Sequence, residues 1–133
     1  KTNNYITKLK NESLRIKKSA HEILYVDNDL VSEGATCNIF LFKNDTLITP
    51  KENILNGTRR RLVLKIAKKS FEIKERNVKL EELMSADEVF ITSCNRDILP
   101  VTQIDDKKIG NGKVGNNTKM LMKLFDQFVE KNK

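Results

Sequence analysis

Three short runs of small and polar residues concentrate the groups able to do chemistry: SEGATCN (32–38), LNGTRRR (55–61) and TSCNRD (92–97). In the second run, Gly57 and Thr58 precede a helix-like stretch. Their backbone N–H groups and the positive end of a helix dipole can hold an anion there, with Arg59 adding charge. The same residues also suit an ordinary helix start, with Thr58 as the cap and the arginines in water. In the third run, Ser93, Cys94 and Asn95 bring hydroxyl, thiol and amide groups to the point where an apolar strand gives out. Cys94 reads equally as a small buried thiol. In the first run, Glu33 stands beside Gly34 between two strand-like stretches, and a carboxylate drawn inward there needs a cation or hydrogen-bond donors.

Other chemistries find less support. Cys37 and Cys94 do not make a disulfide framework, and His21 alone cannot build a zinc site of the Cys/His kind. The balance of 25 basic against 18 acidic residues leaves a net charge of +7, which invites a nucleic-acid reading. The lysines, however, are interleaved with acids, as in KIAKKSFEIKERNVKLEE, which is the pattern of solvated faces. Only Arg59, Arg60 and Arg61 cluster tightly, and 6% aromatic residues with no tryptophan provide few platforms for stacking bases. A basic nucleic-acid-binding module is therefore the distant alternative. No run approaches the roughly 18 apolar residues of a membrane span, and KTNNYITKLKN is too polar for a secretory signal. The expectation is a soluble, cytoplasmic protein without membrane partners, and a chain opening on Lys1 suggests a fragment or a processed form.

The elements that must position these loops follow from periodicity. Over Thr2 to Ala20, Ile6, Leu9, Ile16 and Ala20 fall near one helical stripe, which predicts a first helix. EILYVD (22–27) reads as a strand, Asp27 to Asp29 as a hairpin turn, and Leu30 and Val31 as the start of the return strand. NIFLFKN (38–44) suits a central strand, Asn44 and Asp45 a second tight turn, and TLITP (46–50) a strand ended by proline. Leu62, Val63, Ile66 and Ala67 repeat at helical spacing, predicting a helix from about Arg59 to Ser70. A short strand at Phe71 to Arg76 follows, then a short helix in LEELMSA (80–86) and apolar strands in EVFITS (88–93) and ILPVTQID (98–105). Beyond a turn at Asp105 and Asp106 come a loose loop with Gly110, Gly112 and Gly115 and a terminal amphipathic helix carrying Met120, Leu121, Leu124, Phe125 and Phe128. With 38% apolar residues in 133, one core is supportable, and the hairpin-linked strands favour an α+β fold with a largely antiparallel sheet or barrel.

Five blocks in order, KTNNYI, VSEGATCNIFLFKNDTLITP, ILNGTRRRLVLKIAK, LEELMSADEVFITSCNRDILPVTQID and GNGKVGNNTK, resemble the class IV pyridoxal-phosphate enzymes. This fold-type IV group includes branched-chain aminotransferases, D-amino-acid aminotransferases and aminodeoxychorismate lyases. The resemblance covers essentially the whole chain. It implies a barrel-like, mainly antiparallel C-terminal domain with flanking helices over residues 1–133, with the family's smaller N-terminal domain absent from this chain. It also implies a homodimer when intact, and transfer of an amino group between an amino acid and a 2-oxo acid. Elimination of pyruvate from aminodeoxychorismate is the alternative within the family.

By the same resemblance Lys1 carries the cofactor on its ε-amine and moves the substrate α-proton, tasks that need an amine of lowered pKa. Glu33 falls on the glutamate that pairs with the pyridine nitrogen, Leu55 on the residue packed against the ring, and Gly57, Thr58 and Arg59 in the turn that binds the phosphate. Ser93 and Cys94 fall on a second phosphate loop, where N–H groups of Cys94 and Asn95 also meet a substrate carboxylate. Tyr5 corresponds to a tyrosine that hydrogen-bonds the cofactor's phenolic oxygen; a core position on the first helix is its other reading. The chain departs from the family where Thr58 and Arg59 replace an aliphatic residue and threonine, and where Cys94 replaces threonine. Each change removes a hydroxyl donor from the phosphate shell.

Overall fold

Two Asn–Asp turns set the strand pairing. Asn28 and Asp29 have φ of 51° and 65°, and Asn44 and Asp45 of 50° and 65°, the left-handed pairs that match the twist of two-residue hairpins. The first joins β2 (Glu22–Asp27) to β3 (Leu30–Gly34), and the second joins β4 (Asn38–Lys43) to β5 (Thr46–Thr49). The computed structural model describes residues 5–7, 22–34, 37–52, 54–93 and 97–132. Around these hairpins lie β1 (Tyr5–Thr7), α1 (Thr58–Ala67), β6 (Glu72–Glu75), β7 (Val78–Lys79) and α2 (Leu80–Met84). They are followed by β8 (Glu88–Ser93), β9 (Asp97–Val101), β10 (Gln103–Ile104), β11 (Lys107–Lys108) and α3 (Asn116–Lys131).

Among the described residues the strands form two sheets, ordered β11-β10-β1-β2-β3-β7 and β6-β5-β4-β8-β9. The expected α+β class holds, but neither sheet closes into a barrel. Antiparallel pairing dominates, with parallel joins of β1 to β10, β1 to β2 and β5 to β6. The helix expected from Thr2 is also corrected: Tyr5–Thr7 is a strand, held by partners about a hundred and about sixteen residues away, which local periodicity does not register. Residues 8–20 of that expectation lie outside the described residues. No helix among the described residues is long and apolar enough to cross a membrane.

The strands β4 and β8 are buried on both faces, which is why NIFLFK and EVFITS read as nearly continuous apolar runs. One face sends Ile39, Leu41, Val89 and Ile91 toward Leu24, Val31 and Ile104 of the first sheet. The other sends Phe40, Phe42 and Phe90 toward Val63 and Ala67 of α1 and Leu121 and Phe125 of α3. Phe40 and Phe90 stack with centroids 4.8 Å apart. The second sheet is thus sandwiched between the first sheet and the two longer helices.

The helix α3 is docked by a side chain from the sheet. Glu88 Oε1 accepts hydrogen bonds from the backbone N–H and the hydroxyl of Thr118, both at 2.7 Å, and Oε2 accepts from Asn117 N–H at 3.2 Å. A Cβ at Gly115 would overlap the Glu88 carboxylate, so glycine at this N-cap admits the strand-borne cap.

Candidate functional site

At one end of the second sheet, the start of β4, the end of β8 and the start of β9 meet the turn that opens α1. Asn38 Nδ2 donates to Leu55 O at 2.8 Å, and its Oδ1 lies where a Cβ on Gly57 would come within 2.8 Å, so the turn is pressed onto the strand. Across the ladder Asn38 pairs with Thr92, and Ser93 pairs with Asp97. Arg59 Nε then donates to Asp97 Oδ1 at 2.6 Å, tying the first turn of α1 to the strand that leaves residues 94–96. The Thr92 hydroxyl is buried beside Asn38 with no hydrogen-bond partner among the described residues.

Gly57 is the N-cap of α1, and among the described residues no side chain caps the helix. The first intrahelical bond runs from Arg61 N–H to Gly57 O, so the N–H groups of Thr58, Arg59 and Arg60 have no intrahelical acceptor. No acidic residue lies in the first turn. Arginines at the positive end of a helix dipole raise the local potential, an arrangement suited to a strongly charged anion. Next to it Leu55 is 75% exposed, an apolar side chain held out on a loop anchored by its own carbonyl. Free helix N–H groups beside a guanidinium suit a phosphate monoester.

Two details of the ordinary helix start expected from the sequence change. Thr58 is the first helical residue and not the cap, and the arginines are not all in water. Arg60 is 4% exposed. Its Nη1 donates to Asn56 Oδ1 at 2.9 Å and its Nη2 to Pro50 O at 3.1 Å and Glu75 Oε1 at 2.9 Å. Arg61 Nη1 donates to Asn56 O at 2.7 Å. Each arginine of the one tight basic cluster thus makes a contact within the chain.

Of the residues singled out in the sequence, the structure brings together Leu55, Gly57, Thr58, Arg59 and Ser93. Lys1, Cys94 and Asn95 lie outside the described residues. Tyr5 is on β1, with its backbone opposite Gln103. Glu33 lies on β3 at an irregularity: Leu24 pairs with Gly34 and Val26 with Val31, so Ser32 and Glu33 together stand opposite Tyr25. Such bulges redirect a strand locally. Asn38, Asn56, Arg60 and Asp97 fall within the three runs picked out in the sequence but have no role of their own there; for Asn38 the usable signal is an asparagine opening an otherwise apolar strand. Among the described residues no group of three or more His, Cys, Asp or Glu side chains could hold a metal ion.

Comparison with known proteins gives the family and the fold. The family model for amino-transferase class IV matches residues 1–104. A probable branched-chain-amino-acid aminotransferase of Aquifex aeolicus is 42% identical over 107 residues, covering 77% of this chain and 34% of its own length. A D-alanine aminotransferase of Staphylococcus epidermidis is 35% identical over 118 residues, covering 86% and 42%. The chain thus spans well under half of these relatives. The crystal structure of the Escherichia coli branched-chain amino acid aminotransferase superposes with a TM-score of 0.83 at 33% identity, over 86% of this chain and 40% of that one. The pyridoxal-phosphate form of the Thermobaculum terrenum enzyme gives 0.82 at 27% identity, over 88% and 40%.

Proposed function

Because the chain belongs to the amino-transferase class IV family, we propose that it forms the pyridoxal-phosphate-binding domain of an aminotransferase that moves an amino group between an amino acid and a 2-oxo acid. The carrying observation is the uncapped α1 turn, with Arg59 and exposed Leu55, meeting the β8 end at Ser93. Branched-chain amino acids and D-alanine are the substrates in the names of its relatives, which are aminotransferases, and this favours transfer over elimination. The intact enzyme is read as a cytoplasmic homodimer. A smaller domain outside these 133 residues completes the substrate pocket.

When bound, the cofactor supplies an electron sink for the pair released at the substrate α-carbon. The remaining work falls to the protein. Thr58 and Arg59 N–H groups, the Arg59 guanidinium and Ser93, Cys94 and Asn95 would hold the phosphate. Leu55 would cover one side of the ring. Glu33 would keep the ring nitrogen protonated, and Tyr5 would hydrogen-bond the phenolic oxygen. Lys1 would carry the cofactor and move the proton at the α-carbon, while Cys94 and Asn95 N–H groups would orient the substrate carboxylate.

Borohydride reduction of the loaded protein, followed by peptide mapping, tests the anchor: the adduct is expected on Lys1, and an adduct on another lysine with Lys1 unmodified overturns the assignment. Product analysis with branched-chain and D-amino acids, against aminodeoxychorismate, separates transfer from elimination.

A further inference from the structure

The connection from Pro50 to Gly57 carries Leu55 and ends in the anion turn; β4 holds it at one point, through Asn38 on Leu55 O. Arg60 reaches both of its ends. Its guanidinium donates to Pro50 O where the connection begins and to Asn56 Oδ1 where it closes, and pairs with Glu75 of β6 beyond. Burying an arginine is costly unless its donors are met, and here an Nε remains buried without a partner. An apolar residue would dock the helix equally well, as Val63 and Ala67 do on the same face. The charge is placed where it spans a loop. A lysine offers no planar fork to reach three acceptors at once.

We propose that Arg60 is a positioning residue for the anion turn. Without touching the ligand, it fixes residues 54–57 so that Leu55 and the free N–H groups of Thr58 and Arg59 face a phosphate monoester. This rests on the reading of the turn as the cofactor's phosphate site.

The test compares wild-type intact protein with Arg60→Ala, Arg60→Lys and Val63→Ala, each at a temperature where it is fully folded. Affinities for pyridoxal phosphate and for inorganic phosphate are measured by titration calorimetry, and amide exchange over residues 54–58 is followed without ligand. Both Arg60 variants are expected to weaken binding of both anions by about tenfold or more and to speed exchange at these amides, since a buried donor network is lost. Val63→Ala is expected to lower the melting temperature while leaving the affinities within about twofold, because its cavity lies further along the helix. Millimolar methylguanidinium is expected to restore affinity to Arg60→Ala alone. Unchanged affinity in Arg60→Ala, or an equal loss in Val63→Ala, overturns the positioning role while leaving the proposed function standing. Wild-type protein that binds neither anion removes the proposed function and this role with it.

Discussion

Arg59 Nε and Asp97 Oδ1 lie 2.6 Å apart and join two segments that the chain separates by 38 residues, the first turn of α1 and the first residue of β9. Asp97 has φ of 50°, a left-handed conformation that asparagine also accepts. The carboxylate competes with any bound phosphate for the same guanidinium and repels it. Asp97→Asn is therefore expected to tighten inorganic phosphate binding severalfold at low ionic strength. The gain should shrink as salt is raised, because both partners are partly exposed. Calorimetric titration at two salt concentrations checks this; weaker binding at both would show that Asp97 orients Arg59 instead of restraining it.

Glu33 lies in the β3 irregularity, where its backbone and that of Ser32 stand opposite Tyr25. If its carboxylate keeps the ring nitrogen protonated, Glu33→Gln should leave cofactor binding largely intact and slow removal of the α-proton by roughly a hundredfold or more. Deuterium washout from the α-carbon of a labelled amino acid in a single turnover reads this step directly. A near-normal rate in the variant would remove the electron-sink role.

The Glu88 carboxylate meets two N–H groups and one hydroxyl at the start of α3, and Thr118 beneath it is only 1% exposed. Glu88→Ala would leave that buried hydroxyl and two helix N–H groups unpaired. The expected loss is on the order of 2–3 kcal/mol, the sum of a missing cap and an unsatisfied buried group. Urea unfolding of the variant against wild type measures it. A loss under about 0.5 kcal/mol would mean that water replaces the carboxylate without cost.

What could be read in advance follows from which forces are local. The Asn28–Asp29 and Asn44–Asp45 turns were legible because left-handed backbone has few tolerant residues, and the strands beside them because their side chains face apolar layers. Tyr5–Thr7 was misread as helix because its two parallel partners are distant, and β7 and β11, two residues each, carry no periodicity to read. Within the site, Gly57 and Thr58 could be named from loop chemistry, and Leu55 from the family resemblance. Arg60 could not: arginine in a basic run reads as solvated, and its burial is decided by acceptors on Pro50, Asn56 and Glu75 that meet only in the fold.

Acid should find a small, separable contribution at the Arg76–Glu82 pair. Arg76 Nη1 donates to Glu82 Oε1 at 3.0 Å and Nη2 donates to Oε2, a two-point contact between the end of the β6 segment and α2. The Arg76 hydrogen bond, helped by its charge and by the backbone at Lys79, holds the Glu82 carboxyl below its ordinary value of 4.5, although partial burial opposes the shift. A carboxyl whose pKa is depressed in the folded state binds protons more readily when unfolded. Its contribution is then fully present above about 4.5 and is lost as pH falls through the lower, folded value. Both side chains are partly exposed, so solvent screening limits the pair to about 1 kcal/mol or less. Glu82→Gln is expected to unfold at slightly lower urea than wild type near neutral pH, and the two curves should converge once the carboxyl is protonated. Measuring both midpoints from neutral pH down into the acid range decides it: a difference that persists unchanged after wild-type Glu82 has been titrated would assign the effect to packing against α2 and not to the charge pair.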